Sequence, residues 1–139
     1  MPARQASCVA IGDRALMILG APGTGKSSLA LALIDRGAVL IGDDSLILDD
    51  RDGRLIASPH PNTRGLIEVR NVGLITMPVC SEAPVALVLR LDEAAPRFVE
   101  AADSTAIAGI VLPMLALWPD SPVQALRAEL ALQRYGLTF

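Results

Sequence analysis

Between residues 15 and 36 the chain passes from an apolar run through a glycine-rich loop into a helix former. No other stretch constrains the fold as much. Gly20-Ala21-Pro22-Gly23-Thr24-Gly25-Lys26-Ser27 satisfies the pattern GxxxxGK[ST]. Ala15–Leu19 before it is an unbroken apolar strand, and Ser28–Arg36 after it is a Leu- and Ala-rich helix that stops at Gly37, a C-terminal cap. A loop of this kind works only with a strand before it and a helix after it, and both are present. The glycines let successive N–H groups curl into one concavity, and the helix N-terminus adds its partial positive charge. Lys26 is spaced to reach the β- and γ-phosphates of a nucleoside triphosphate, and the Ser27 hydroxyl to ligate Mg²⁺. The expected nucleotide contacts are Gly20, Ala21, Pro22, Gly23, Thr24, Gly25, Lys26, Ser27 and Ser28.

With 139 residues, 52% of them hydrophobic, the chain reads as one domain, residues 1–139, large enough to bury a sizeable core. Two Phe, one Trp and one Tyr make that core aliphatic. A net charge of −3 with scattered cations argues against a nucleic-acid partner. Lys26 is the sole lysine, which chemistry explains better than solubility does. Cys8 and Cys80 have no metal-ligand spacing and are expected reduced and buried. There is no basic-then-apolar leader and no run of about 18 apolar residues, so the expectation is a soluble, cytoplasmic protein without a membrane partner.

Strand signals recur along the chain. Ser7–Ile11 and Ala15–Leu19 flank a short Gly12-Asp13-Arg14 turn. Ala38–Ile41, Ser45–Leu48 and Arg54–Ala57 follow, with Asp49–Gly53 as a solvated turn. A strand–helix–strand unit followed by hairpins predicts an α/β fold with a mixed sheet. Ser58–Thr63, with two prolines, is expected to be irregular. In Arg64–Ile75, charged Glu68 and Arg70 share strand parity with Leu66, Val72 and Leu74, which favours a polar functional loop over a clean strand. Val85–Leu91 is a strand, Pro96–Ala106 irregular, and Ile110–Leu112 a short strand at most. Ser121-Pro122 reads as an N-cap with proline at the first helical position. The helix it opens runs to Tyr135, carries Val123, Leu126, Leu130 and Leu132 among its apolar residues, and ends at Gly136.

Asp43 and Asp44 end the strand that follows the loop's helix, where phosphate-loop enzymes place magnesium-binding and base-positioning acids. Adjacent carboxylates point to different places, so one is expected to face the site while the other supports the backbone. His60, between two prolines, is assigned no role, and Trp118 and Tyr135 are read as packing residues.

Together, the glycine loop, Arg36-Gly37-Ala38-Val39-Leu40-Ile41-Gly42-Asp43-Asp44 and Arg64-Gly65-Leu66-Ile67-Glu68-Val69-Arg70 resemble the catalytic domain of HPr kinase/phosphorylase, in the short form that lacks the usual N-terminal domain. The resemblance runs from about Ser7 to Ile75, more loosely to Arg97, and is faint beyond. It implies a single P-loop domain similar to the nucleotide-binding part of phosphoenolpyruvate carboxykinase. It implies a kinase that uses ATP and Mg²⁺ to phosphorylate a serine of the phosphocarrier HPr in the phosphotransferase system, and the reverse phosphorolysis, in a protein whose full-length members are hexamers. Lys26 then matches the catalytic lysine, Ser27 the Mg²⁺-binding serine, Asp44 the proton-accepting carboxylate with Asp43 its neighbour, Glu68 the second Mg²⁺ ligand, and Arg97 an arginine of the active site.

Three positions depart from that pattern. Gln5 stands where the family has a histidine, Asn71 where it has a glycine, and uncharged Leu112–Trp118 where a basic loop serves the reverse reaction. Two other readings stay open from residues alone: an ATP-binding regulatory module with weak catalysis, and a small-molecule kinase or simple NTPase on the same loop.

Overall fold

The computed structural model describes residues 3–139. Eleven strands and two helices follow in order: β1 Ala3–Arg4, β2 Ser7–Ile11, β3 Arg14–Gly20, α1 Lys26–Asp35, β4 Val39–Gly42, β5 Leu46–Arg51, β6 Arg54–Pro59, β7 Leu66–Val69, β8 Gly73–Thr76, β9 Ala83–Leu91, β10 Asp103–Ile107, β11 Ile110–Leu117 and α2 Gln124–Tyr135. The main sheet runs β1-β5-β6-β9-β3-β2-β4, with β11 added to β9 and β10 to β11. β3, β9 and β11 are mutually parallel neighbours, and the other pairings are antiparallel, so the sheet is mixed.

Both faces of the sheet centre are covered, which explains why β3 reads as a continuous apolar run instead of an alternating one. Leu16 and Ile18 point to one side, where they meet Leu29 and Leu33 of α1, Leu87 and Leu89 of β9, and Ala128 and Leu132 of α2. Ala15 and Met17 point to the other, against Cys8, Leu46, Leu48, Leu55, Val85 and Leu112. Neither cluster contains an aromatic side chain among its fully buried members, as the composition requires.

α1 ends as expected. Arg36 is the C-cap, the Gly37 amide donates to Ile34 O and the Ala38 amide to Leu33 O, each at 3.0 Å, and Gly37 takes a φ of 110° that an L side chain resists. α2 departs from expectation at its start. It opens at Gln124 after Val123, because Ser121 spends its hydroxyl on the Val123 amide (3.3 Å) and its carbonyl on the Gln124 amide (3.1 Å), forming a turn outside the helix. Its inward face is Ala125, Ala128, Ala131 and Leu132, small residues that permit close approach to the sheet, while Leu126 and Leu130 face outward.

Four other expectations change. The strand expected to end at Leu48 continues to Arg51, leaving Asp52-Gly53 as the turn, and β6 carries on through Ser58 and Pro59. The Ile110–Leu112 strand extends to Leu117, since its second half finds a parallel partner in Val88–Leu91. β10 forms within the stretch read as irregular, paired to β11 from Asp103↔Met114 to Ile107↔Ile110. Residues 66–76 form a hairpin, β7–β8, closed at its base by the Met77 amide donating to Gly65 O at 2.7 Å. Glu68 pairs with Leu74 across the hairpin, so the two do share a face; that face is the exposed one, while Ile67, Val69 and Ile75 on the other face pack into the core. Asn71 sits in the hairpin turn with φ 67°, the left-handed conformation that a glycine would otherwise supply.

Among the described residues no helix is long and apolar enough to cross a membrane. Cys8 and Cys80 are both free thiols; Cys8 is buried as expected, Cys80 only half-buried.

Candidate functional site

At the C-terminal end of β3 the backbone turns into the glycine loop. A Cβ on Gly20 would stand 2.5 Å from Thr24 Oγ1 and 3.3 Å from Leu91 Cβ, so only glycine lets the loop fold back against the end of β9. Gly23 and Gly25 take φ values of 81° and 95°, and Gly25 is the N-cap of α1. Thr24 closes the loop, its amide and its hydroxyl both donating to Ala21 O, at 3.2 and 2.7 Å. Lys26 folds back over it, Nζ donating to Gly20 O at 2.9 Å and Ala21 O at 3.5 Å.

The loop forms one wall of a cavity of about 350 Å³, lined also by Gln5, Lys26, Ser27, Ser28, Asp43, Asp44, Glu68 and Arg70. These residues lie far apart in sequence, and sheet order unites them. β2 sits between β3 and β4, so the ends of all three strands, together with the first turn of α1, open on one edge of the sheet. The β7–β8 hairpin closes the far wall, held by Ile67, which is wholly buried against the α1 side of the core.

Asp43 and Asp44 do point to different places. Asp43 accepts three hydrogen bonds: Ser27 Oγ at 2.6 Å and Ser7 Oγ at 3.0 Å on Oδ1, and the Glu68 amide at 3.0 Å on Oδ2. Asp44 is exposed, with φ 61°, and among the described residues nothing donates to its carboxylate. The backbone strain at Asp44 swings its side chain away from its neighbour's network and toward the open cavity.

The donor set suits a hard cation. Ser27 and Glu68 offer oxygen only, and the Ser27 hydroxyl, with its proton on Asp43, has its lone pairs free. Among the described residues no three His, Cys, Asp or Glu side chains stand close enough to hold an ion by themselves.

Of the residues singled out from sequence, all but Ala21, Thr24 and Arg97 line this cavity. Ala21 and Thr24 lie in the loop itself. Arg97 lies elsewhere, in a groove of about 630 Å³ with Trp118, Arg127, Arg134 and Tyr135. The segment after β9 is pulled there by Trp118 Nε1 donating to Ala95 O and Tyr135 Oη donating to Val99 O. Tyr135 is thus a tether as well as a packing residue, whereas Trp118 is exposed and acts as a tether only. His60 has a local role, its Nδ1 accepting the Asn62 amide at 3.1 Å. Sequence reasoning set Arg70 in a polar functional loop without a named role, and it missed Ser7 as the partner of Asp43. Arg70 could have been found from its place beside Glu68; Ser7 carries no local signal.

The fold and this site define a class: a mixed α/β domain whose glycine-loop strand, helix and acidic neighbouring strand meet in one polar cavity. The chain belongs to the HPr serine kinase C-terminal domain family, whose model matches residues 3–94. It is 36% identical over 85 residues to the HPr kinase/phosphorylase of Mycoplasma mycoides, and 43% identical over 63 residues to that of Clostridium tetani. Those alignments cover 56% and 45% of this chain but only 27% and 21% of the relatives, so the chain spans about a quarter of their length. The solved structure of the Hpr(Ser) kinase/phosphatase from Coxiella burnetii superposes with a TM-score of 0.83 at 26% identity, covering 96% of this chain and 90% of that one.

Proposed function

We propose that residues 1–139 form the catalytic domain of an ATP- and Mg²⁺-dependent protein serine kinase acting on an HPr-type phosphocarrier in the cytoplasm, on a P-loop fold similar to that of phosphoenolpyruvate carboxykinase. The observation that carries this reading is the convergence of Lys26, Ser27, Asp43, Asp44 and Glu68 on one cavity beside the glycine loop, in a chain of this family.

In this reading the loop amides and Lys26 bind the triphosphate, Lys26 leaving Gly20 O for the β- and γ-oxygens. Ser27 and Glu68 hold Mg²⁺, which supplies charge neutralisation on the phosphate oxygens. Asp44, exposed and without a donor among the described residues, takes the proton of the acceptor serine as its oxygen bonds to the γ-phosphorus and the bond to the β-phosphate oxygen breaks, releasing ADP. Asp43 orients Ser27. In reverse, inorganic phosphate attacks phosphoserine to give pyrophosphate and Asp44 returns the proton. Leu112–Trp118 offers that direction no basic loop, since most of it is β11, paired to β9 and β10. Assembly into a homo-oligomer belongs to the same reading, and nucleic acid has no part in it.

A second reading, an ATP-binding regulatory module with weak catalysis, draws on Gln5. It lines the cavity where the family resemblance calls for histidine, and its amide cannot tune Asp44 by protonation. Incubation with labelled ATP, Mg²⁺ and purified HPr-type carriers, with Lys26→Ala as control, separates the two. Phosphoserine on a carrier, absent in the control, supports the kinase. ATP binding without transfer to any carrier selects the regulatory module.

A further inference from the structure

Ser7 is wholly buried among apolar neighbours at the start of β2, yet its hydroxyl is not spent on the adjacent backbone. It reaches Asp43 Oδ1 at 3.0 Å, 36 residues on. Strand register explains the meeting. β2 and β4 are antiparallel with Cys8 opposite Gly42, so Ser7 and Asp43 are the next pair outward, where the ladder ends and the cavity begins. The same oxygen takes the Ser27 hydroxyl, and the other takes the Glu68 amide. One carboxylate therefore ties β2, the first turn of α1 and the β7–β8 hairpin together.

We propose that Ser7 is a positioning residue: by anchoring the Asp43 carboxylate it aims the free lone pairs of Ser27 into the cavity and clamps the hairpin that carries Glu68. A carboxylate at a strand end turns about two side-chain torsions. Ser27 sits on a helix that nucleotide binding will load, and Glu68 on a hairpin with exposed Val72 and Leu74. Ser7, on a strand flanked by two others, is the donor with the least freedom to move, so it sets the orientation that the other two share. The consequence for Mg²⁺ rests on the proposed function; the clamping of the hairpin does not.

The test is amide hydrogen exchange on the purified chain, resolved at Glu68, with nucleotide binding measured with and without Mg²⁺. Ser7→Ala should speed exchange at the Glu68 amide about tenfold, the order of one charge-assisted hydrogen bond shared between donors, while amides of β9 hold their protection. It should raise the Mg²⁺ concentration needed for tight nucleotide binding several-fold, roughly the same scale, and leave Mg²⁺-free binding unchanged. Ser7→Thr, which keeps the hydroxyl, should restore both. If Ser7→Ala does not fold, Ser7→Cys keeps the volume with a weak donor and carries the same expectation. Unchanged Glu68 exchange, or equal acceleration at every amide, overturns the proposal. Altered Glu68 exchange in a chain that transfers no phosphate upholds the anchoring and overturns the kinase reading instead.

Discussion

The Ser27 hydroxyl donates to Asp43 Oδ1 at 2.6 Å, joining the first turn of α1 to the end of β4. This contact fixes which of the two adjacent aspartates is the supporting one. Asp43→Asn keeps the shape but replaces a charged acceptor with a neutral one, and hydrogen bonds to charged groups contribute about 1.5–3 kcal/mol. The expected result is a roughly 10- to 100-fold loss of Mg²⁺-stimulated phosphoryl transfer, on that same scale, with a folded protein by circular dichroism. Unaltered Mg²⁺ dependence would show that Ser27 needs no partner.

Among the described residues, Lys26 makes two side-chain hydrogen bonds, both to carbonyls of its own loop. Lys26→Ala should therefore leave the melting temperature within about the range of a surface substitution, ±0.5 kcal/mol in stability. Phosphoryl transfer should fall by about 10² or more, as when one charge-stabilising group is removed from a transition state. Paired melting curves and labelled-ATP assays check this.

Asp44 tests base chemistry apart from fold. Asn is, like Asp, among the residues that tolerate a left-handed backbone, so Asp44→Asn should fold normally at φ 61°, bind nucleotide and lose turnover. Asp44→Val adds backbone strain of about 1–2 kcal/mol. Isothermal titration beside the kinase assay distinguishes lost binding from lost catalysis, and full turnover by Asp44→Asn would remove it as the base.

At the hairpin tip, Asn71 holds φ 67° with no helix or strand to enforce it. Asn71→Gly should be neutral or slightly stabilising, whereas Asn71→Val should cost about 1–2 kcal/mol. Urea unfolding of the three proteins measures the difference.

Burial pushes the Cys8 thiol well above its ordinary range, with nearby Cys80 adding to the shift. The native thiol stays protonated where the unfolded one, near its ordinary pKa of about 8.5, ionises. The native state then holds more protons, so stability falls as pH rises through that range, by up to about 1.4 kcal/mol per pH unit. Below it, the contribution is fully present. Chemical denaturation between pH 7 and 10 should show the decline, and Cys8→Ala should flatten it.

Much of this was legible from residue order alone. The apolar run of β3, the glycine loop and the Gly37 stop are local: each follows from burial, from backbone freedom at glycine, or from helix propensity, and each stands within two residues of its expected bounds. The same holds for Asp43, Asp44 and Glu68, which were visible because charge in apolar surroundings is conspicuous. Local signals failed where pairing decided the outcome. β11 is a long strand only because β9 offers it an edge, and Pro113 is accommodated against Ser104 of β10. The family resemblance implies that Arg97 belongs to the active site, yet the bonds from Trp118 and Tyr135 carry its segment to another groove. Ser7 was invisible for the same reason.

The sequence by itself determined that a glycine-rich loop would join a buried strand to a helix, with two carboxylates one strand away. Only the tertiary structure decided that Asp43 is the hub and Asp44 the free acid. That choice depends on β2 lying between β3 and β4 and on the register that sets Ser7 beside Asp43, and register is a property of pairs of strands, not of either strand alone.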